Sequence, residues 1–221
     1  MQVSKTCLLA VLLLMLFCKL MYAQTSKSAC SKLLTGSEPV LVDDATYFSP
    51  DLFNSETAAW YAEYLRKMKE PPFPRLIDCG VESYRFLWLR TFHHPVSIRV
   101  WRLDEQIFLT IKELNGKGGY EPGKIIVNKN RRLTKGEWLT FKGLVERSSF
   151  WQLTTDNRSP ITEDADGTIT VTTDGAKWIL EGIQQKRYHI VARQSAEGTY
   201  RNACLYLIKL SGLMIKRDEI Y

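Results

Sequence analysis

Glu181, His189 and Arg193 lie close together in the stretch Asp174–Arg193, DGAKWILEGIQQKRYHIVAR. A carboxylate holding an imidazole raises its pKa toward neutrality, which suits acid–base work. Arg193, Arg85, Arg90 or Arg99 could then hold an anionic substrate. The stretch reads as two strands and a turn, and its register decides the chemistry. With the turn at Gln184–Gln185, Glu181 faces Tyr188 and Leu180 faces His189. Shifted by one residue, Glu181 faces His189, Arg193 lies further along the face of Lys177, and Trp178 and Leu180 turn to the core. A slip of one residue sends every side chain to the other face. A cross-strand Glu–His pair is also plain sheet stabilisation, worth a fraction of a kcal/mol. No nucleophile accompanies it, since Ser195 and Ser211 lack an elbow or triad context.

Other chemistry is sparse. Gly116-Lys117-Gly118-Gly119 has neither the spacing nor the strand-then-helix setting of a phosphate loop, and reads as a flexible hairpin loop able to serve as a contact surface. His93 and His94 precede Pro95 at a turn, and neighbours on extended chain point to opposite faces. Beyond residues 1–23 three cysteines remain, Cys30, Cys79 and Cys204, with no CxxC and no Cys/His cluster; the reading is no metal and no cofactor. Cys79–Cys204 is the preferred disulfide, with three free thiols the alternative. Lys129-Asn130-Arg131-Arg132, with Lys135 beyond, reads as a solvated turn before a helix; no aromatics interleave, so nucleic acid is not an expected partner. The ligand-binding candidates are Arg193, Arg90, His94 and Trp178.

The elements that position these groups follow from periodicity. A helix capped by Ser55 carries Trp60, Tyr61, Tyr64 and Leu65 at helical spacing and stops at Pro71, Pro72 and Pro74. Strands follow at Tyr84–Thr91, Val96–Leu103 and Ile107–Leu114, with Val96, Ile98 and Val100 on one face and Ser97, Arg99 and Trp101 on the other. A short strand spans Lys124–Val127. Thr134 and Glu137 have capping-box spacing ahead of a helix over 135–148. Phe150–Leu153 reads as extended. After the hairpin, Tyr200–Leu213 reads as a helix that Gly212 ends. The fold class is α+β: an antiparallel sheet, meander plus hairpin, with two to three helices packed on one face.

The opening residues are a different material. Lys5, the apolar run CLLAVLLLMLFC from Cys7 to Cys18 and Met21-Tyr22-Ala23 have the order of a secretory signal peptide, with a retained anchor as the alternative. The expected organisation is a signal peptide at 1–23, a flexible polar segment at 24–54 and a single domain at 55–221 without a transmembrane segment. Loss of 1–23 removes Lys5 and Lys19 and no acids, taking the net charge from +6 to +4 (28 basic against 24 acidic residues). Asn157-Arg158-Ser159 fits a glycosylation acceptor, which only a eukaryotic secretory route would normally use.

YRFLWLRTFHHPVSIRVW, GKGGY, FWQL, DGAKWILEG, YHIVAR and CLYLIKLSGL together resemble an uncharacterised family of small bacterial proteins, across roughly Tyr84–Leu213. The resemblance implies a bacterial origin and one compact unit, and no activity. Relatives of that kind carry Trp and Pro after the arginine that ends the hairpin; here Gln194, Ser195 and Ala196 follow Arg193. The functional expectation is an exported, periplasmic or secreted domain that binds a protein partner or cell-envelope ligand without catalysis. The alternatives are a hydrolase-like enzyme using Glu181 and His189, and a purely structural envelope protein.

Overall fold

A computed structural model describes residues 30, 32–34, 47–49, 51–155, 161–163, 169–171 and 175–221. The apolar run, Met21-Tyr22-Ala23 and the Asn157 triplet lie outside the described residues. The chain divides into two units, Met1–Val40 and Leu41–Tyr221. In the first, Cys30 and residues 32–34 are helical.

The second unit is built on a six-stranded antiparallel sheet: β1 (Glu82–Arg90), β2 (Val96–Leu103), β3 (Gln106–Leu114), β4 (Ile125–Arg132), β7 (Ala176–Gln184) and β8 (Arg187–Gln194). Their spatial order is β4-β3-β2-β1-β7-β8, so the meander runs outward from β1 and the hairpin adds on its other side. The short pair β5 (Ile161–Glu163) and β6 (Ile169–Val171) forms a separate two-stranded sheet. Helix α1 (Ser55–Lys67) precedes β1, α2 (Lys135–Arg147) follows β4, and α3 (Gly198–Ser211) follows β8. The α+β class and the antiparallel sheet are as the periodicity indicates.

Alternation sets the two faces. Tyr84, Phe86 and Trp88 of β1 align with Val100, Ile98 and Val96 of β2 and with Gly182, Leu180 and Trp178 of β7. This face packs against Trp138, Phe141 and Val145 of α2 and Tyr200, Ala203, Cys204 and Leu207 of α3 to form the core. The opposite face is covered as well, by a 3₁₀ segment (Phe73–Cys79) and the prolines before it, a layer that no sequence period announced.

Local details depart from the sequence reading for identifiable reasons. The cap of α1 is Asn54, whose side chain accepts from Thr57 N at 2.8 Å, rather than Ser55. Phe150–Gln152 is a 3₁₀ turn, because Ser149 turns left-handed at the end of α2. The basic stretch 129–132 is strand, not turn: β4 continues to Arg132 along the outer edge of β3, where its charges stay in water. Cys204 is a free thiol buried in α3, whereas Cys30 and Cys79 are each disulfide-bonded, so the Cys79–Cys204 pairing is wrong. The glycine loop is packed down: a Cβ on Gly118 would meet the backbone of Arg90 at 2.5 Å. The Tyr64 hydroxyl stands 3.0–3.1 Å from the carbonyls of Lys117, Gly118 and Tyr120, which fixes the loop against α1.

The hairpin register is neither of the two expected. The turn is Gln185-Lys186, with φ of 51° and 62°, the left-handed pair of a two-residue hairpin turn, and Gly182 faces His189. No glycine or asparagine marks that turn. Its register is fixed from the core instead. Gly182 lies under Phe150 and Tyr84, and a Cβ there would meet Phe150 Cε1 at 2.8 Å and the Tyr84 ring at 3.0 Å. Gly182→Ala is expected to cost ~1–3 kcal/mol through overpacking. Urea unfolding reads it as a lowered midpoint at unchanged slope; an unchanged midpoint would mean the rings do not fix the register.

Candidate functional site

The second face of the sheet carries charge where a sheet normally carries hydrocarbon. Glu181, Arg85, Arg99 and Thr110 stand in one cross-strand row over β7, β1, β2 and β3. Thr110 donates to Asn130 of β4 at 2.6 Å, which continues the row. Glu181, Arg85 and Arg99 are all 0–1% exposed. The Arg85 guanidinium forms a two-pronged contact with Glu181 Oε2, Nε at 2.7 Å and Nη2 alongside it, and the Tyr188 hydroxyl donates to Glu181 Oε1 at 2.9 Å.

The second carboxylate comes from outside the sheet. Just past the end of α1, Lys69 takes φ 54°, a left-handed turn that closes helices, and the next residue, Glu70, points onto the row. Its Oε2 lies 2.8 Å from Arg99 Nε and 3.8 Å from Arg85 Nη1, and its Oε1 lies 3.0 Å from Lys112 Nζ of β3. The carbonyls on either side are gripped too: Lys112 Nζ donates to Lys69 O at 2.9 Å and Arg85 Nη1 to Pro71 O at 2.6 Å. The Phe73 ring lies 4.4 Å from the Arg85 guanidinium and closes the layer.

The two carboxylates feel different fields. Burial opposes ionisation of Glu70, but Arg99, Lys112 and Arg85 outweigh it and hold the carboxyl down from 4.5 to about 2. Glu181 is pushed up by burial; it has one arginine beside it and Glu70 repelling it. Burial draws Arg99 and Lys112 below their ordinary values, with Glu70 opposing the change in both.

The structure separates the sequence candidates. Glu181 lies on the charged face and His189 on the core face, so they form no acid–base pair. His189 Nε2 donates to Leu153 O at 3.0 Å with its ring against Phe150, and burial lowers its pKa. Arg193, opposite Trp178, donates to the carbonyls of Thr154 and Thr155. Both residues fasten the segment after α2 onto β8. A cleft of about 360 Å³ opens beside Arg193, Ser195 and the start of α3, and contains neither Glu181 nor His189.

Arg90 and Trp178 do come together. The Arg90 guanidinium stacks 4.2 Å from the Trp88 ring, and the Trp88 and Trp178 rings are 5.3 Å apart. Arg90 Nη2 donates to His94 O at 3.1 Å, while the His94 ring itself pairs outward with Glu113 at 2.9 Å. The segment Arg217–Tyr221 lies over this groove. Arg90 Nη1 meets Glu219 Oε2 at 3.2 Å, Trp178 Nε1 donates to Tyr221 O at 2.9 Å, and Arg201 Nη2 donates to Ile220 O at 3.2 Å. His93 Nδ1 shares a 2.8 Å hydrogen bond with the Tyr221 hydroxyl. Sequence reasoning missed His93, Trp88 and Arg201 here, and Glu70 and Lys112 on the other face.

Among the described residues no cluster of His, Cys, Asp and Glu has the makings of a metal site, and no helix is long and apolar enough to cross a membrane. Comparison with protein-family models, curated proteins and solved structures gave no significant match.

Two outcomes follow for the charge row. Arg85→Met strands Glu181 in a buried site and is expected to cost ~3–5 kcal/mol, and adding Glu181→Leu should recover much of it; equal or additive losses in urea unfolding would contradict this. Glu70, with its pKa depressed in the folded state, stabilises above 4.5 and loses that contribution as pH falls toward 2. The stability gap between the native chain and Glu70→Gln should therefore be largest at neutral pH and close across that window; a pH-independent gap would contradict it.

Proposed function

We propose that the protein is an exported, non-catalytic binding domain that captures an acidic, aromatic-bearing segment of a partner protein in the groove of Arg90, Trp88 and Trp178. The observation that carries this reading is how the chain's own Arg217–Tyr221 is held there. Two main-chain oxygens, a carboxylate and a phenol are each met by a group of the groove. Main-chain contacts for affinity and side-chain contacts for selectivity are how extended peptides are recognised.

Two further facts support it. Trp88 Nε1 and Arg90 Nε are buried and have no hydrogen-bond partner among the described residues. A buried unmet donor costs ~1–3 kcal/mol, which a ligand with better-placed acceptors recovers. Beside His93 in the chain, Phe92 is 50% exposed and its ring lies 6.3 Å from that of Tyr120, itself 59% exposed. Tyr120 sits on the loop pinned by Tyr64, so an aromatic anchor is presented without an ordering cost. Export rests on the apolar run Cys7–Cys18 and on the bonded state of Cys30 and Cys79, which fits an oxidising compartment.

The test uses a fluorescein-labelled peptide of sequence IKRDEIY and anisotropy. The full chain carrying Glu219→Ala and Tyr221→Ala, which loosens the internal segment, should bind the peptide about tenfold more tightly than the native chain. Adding Arg90→Met should abolish binding while circular dichroism stays native. The reading fails if the loosened, folded protein binds no peptide.

A further inference from the structure

We propose that the outer edge of β4 is a docking site for an extended acidic segment of a partner protein, which adds a strand to the six-stranded sheet. Leu133 N donates to Ile107 O at 2.9 Å, and β3 and β4 pair in register from Val127 to Arg132. In an antiparallel ladder the hydrogen-bonded residues alternate. The odd-numbered residues of β4 therefore bond to β3, and Ile126, Asn128, Asn130 and Arg132 turn their N–H and C=O groups outward. All four are exposed, and among the described residues no strand pairs with them. The other edge of the sheet is treated differently. At β8, Ala192 N donates to Thr155 O at 2.6 Å, so the chain's own segment meets that edge.

A long, open edge is a template for another strand. Charge decides which strand. From Lys124 to Gly136 the chain carries Lys124, Lys129, Arg131, Arg132 and Lys135 and no acid. Arg131 is met by Glu137 at 2.9 Å, while Lys129 and Arg132 meet no carboxylate among the described residues. A second copy is a poor fit. The antiparallel register that matches all four outward residues, Ile126 with Arg132 and Asn128 with Asn130, sets Lys129 against itself on the two-fold axis. Sliding by one pair sets Lys129 against Arg131, or Arg132 against Lys124. Like charges directly opposite destabilise a sheet, and opposite charges stabilise it. A strand with carboxylates at alternate positions sets them opposite Lys129 and Arg131, in the non-hydrogen-bonded pairs where side chains come closest. Main-chain hydrogen bonds then supply affinity and the charges supply selectivity. Ile126, 51% exposed, offers apolar contact at the end of the strand.

The probe is the peptide TEVEVEVT, titrated into the ¹⁵N-labelled full chain, with TKVKVKVT as the control. The acidic peptide should bind at least about tenfold more tightly than the basic one. It should also slow hydrogen exchange at the amides of Ile126, Asn128, Asn130 and Arg132. Asn128→Pro removes one outward N–H that β3 does not use, a change an edge strand tolerates. It should abolish binding, and Asn128→Ala should keep it. If Asn128→Pro does not fold, Lys129→Glu carries the comparison and should remove the preference for the acidic peptide. β4 lies three strands from β1, so the Arg90→Met chain should bind the peptide as the native chain does. Loss of binding there would place the peptide in the Arg90 groove and overturn the proposal. It is also overturned if the acidic peptide does not bind, if binding survives in a folded Asn128→Pro chain, or if the four amides stay unprotected. An oligothymidylate that displaces the peptide and protects the same amides would make the edge a nucleic-acid site and overturn it as well.

Discussion

Arg85 and Arg99 sit directly opposite one another on neighbouring strands, on a face that excludes water. Left alone, that arrangement costs far more than a sheet can supply, since an unpaired buried charge is among the largest single penalties in a fold. The two guanidiniums are tolerated because Glu181 and Glu70 meet them from opposite sides, one from β7 and one from the turn after α1. The position of the covering layer follows from this. The prolines and the 3₁₀ segment after α1 lie where they do because Glu70 has to reach Arg99 and Lys112 and because Arg85 and Lys112 take the carbonyls beside it.

The two faces of the sheet thus do different work. The core face is a conventional apolar contact between Tyr84, Phe86, Trp88 and two helices. Its polar members serve as fasteners: His189 and Arg193 hold the segment 153–155, and Tyr200 donates toward the carbonyls of Trp178 and Val191. Chemistry is concentrated where apolar packing gives out, at the groove around Arg90 and on the charged face. In both places a segment of the same chain brings a carboxylate to buried cations, Glu219 to Arg90 and Glu70 to Arg99 and Lys112.

Much of this was legible from alternation alone. The parity of Val96–Leu103, the capping box at Thr134 and the end of α3 at Gly212 are local signals, and each holds. The cation row was half legible: Arg85 and Arg99 stood out as anion-holding residues, and once the turn between their strands is counted they must pair. The hairpin register was not legible, because a Gln-Lys turn carries no glycine signal and the deciding contact, Gly182 beneath Phe150 and Tyr84, comes from distant residues. That register is what parts Glu181 from His189. Glu70 was hidden for a related reason. In KMKEPPFP it reads as the polar end of a helix, and its partners lie 15, 29 and 42 residues later, at Arg85, Arg99 and Lys112. The same non-locality hid Arg201 and His93 from the Arg90 groove.

The most direct measurement is a carboxyl ¹³C titration of Glu70 by NMR in the folded protein. A carboxylate seated among Arg99, Lys112 and Arg85 stays ionised until the pH falls to about 2. A Glu70 that instead titrates near its ordinary 4.5 is not seated among the three cations, and the account of the charged face and its cover falls with it.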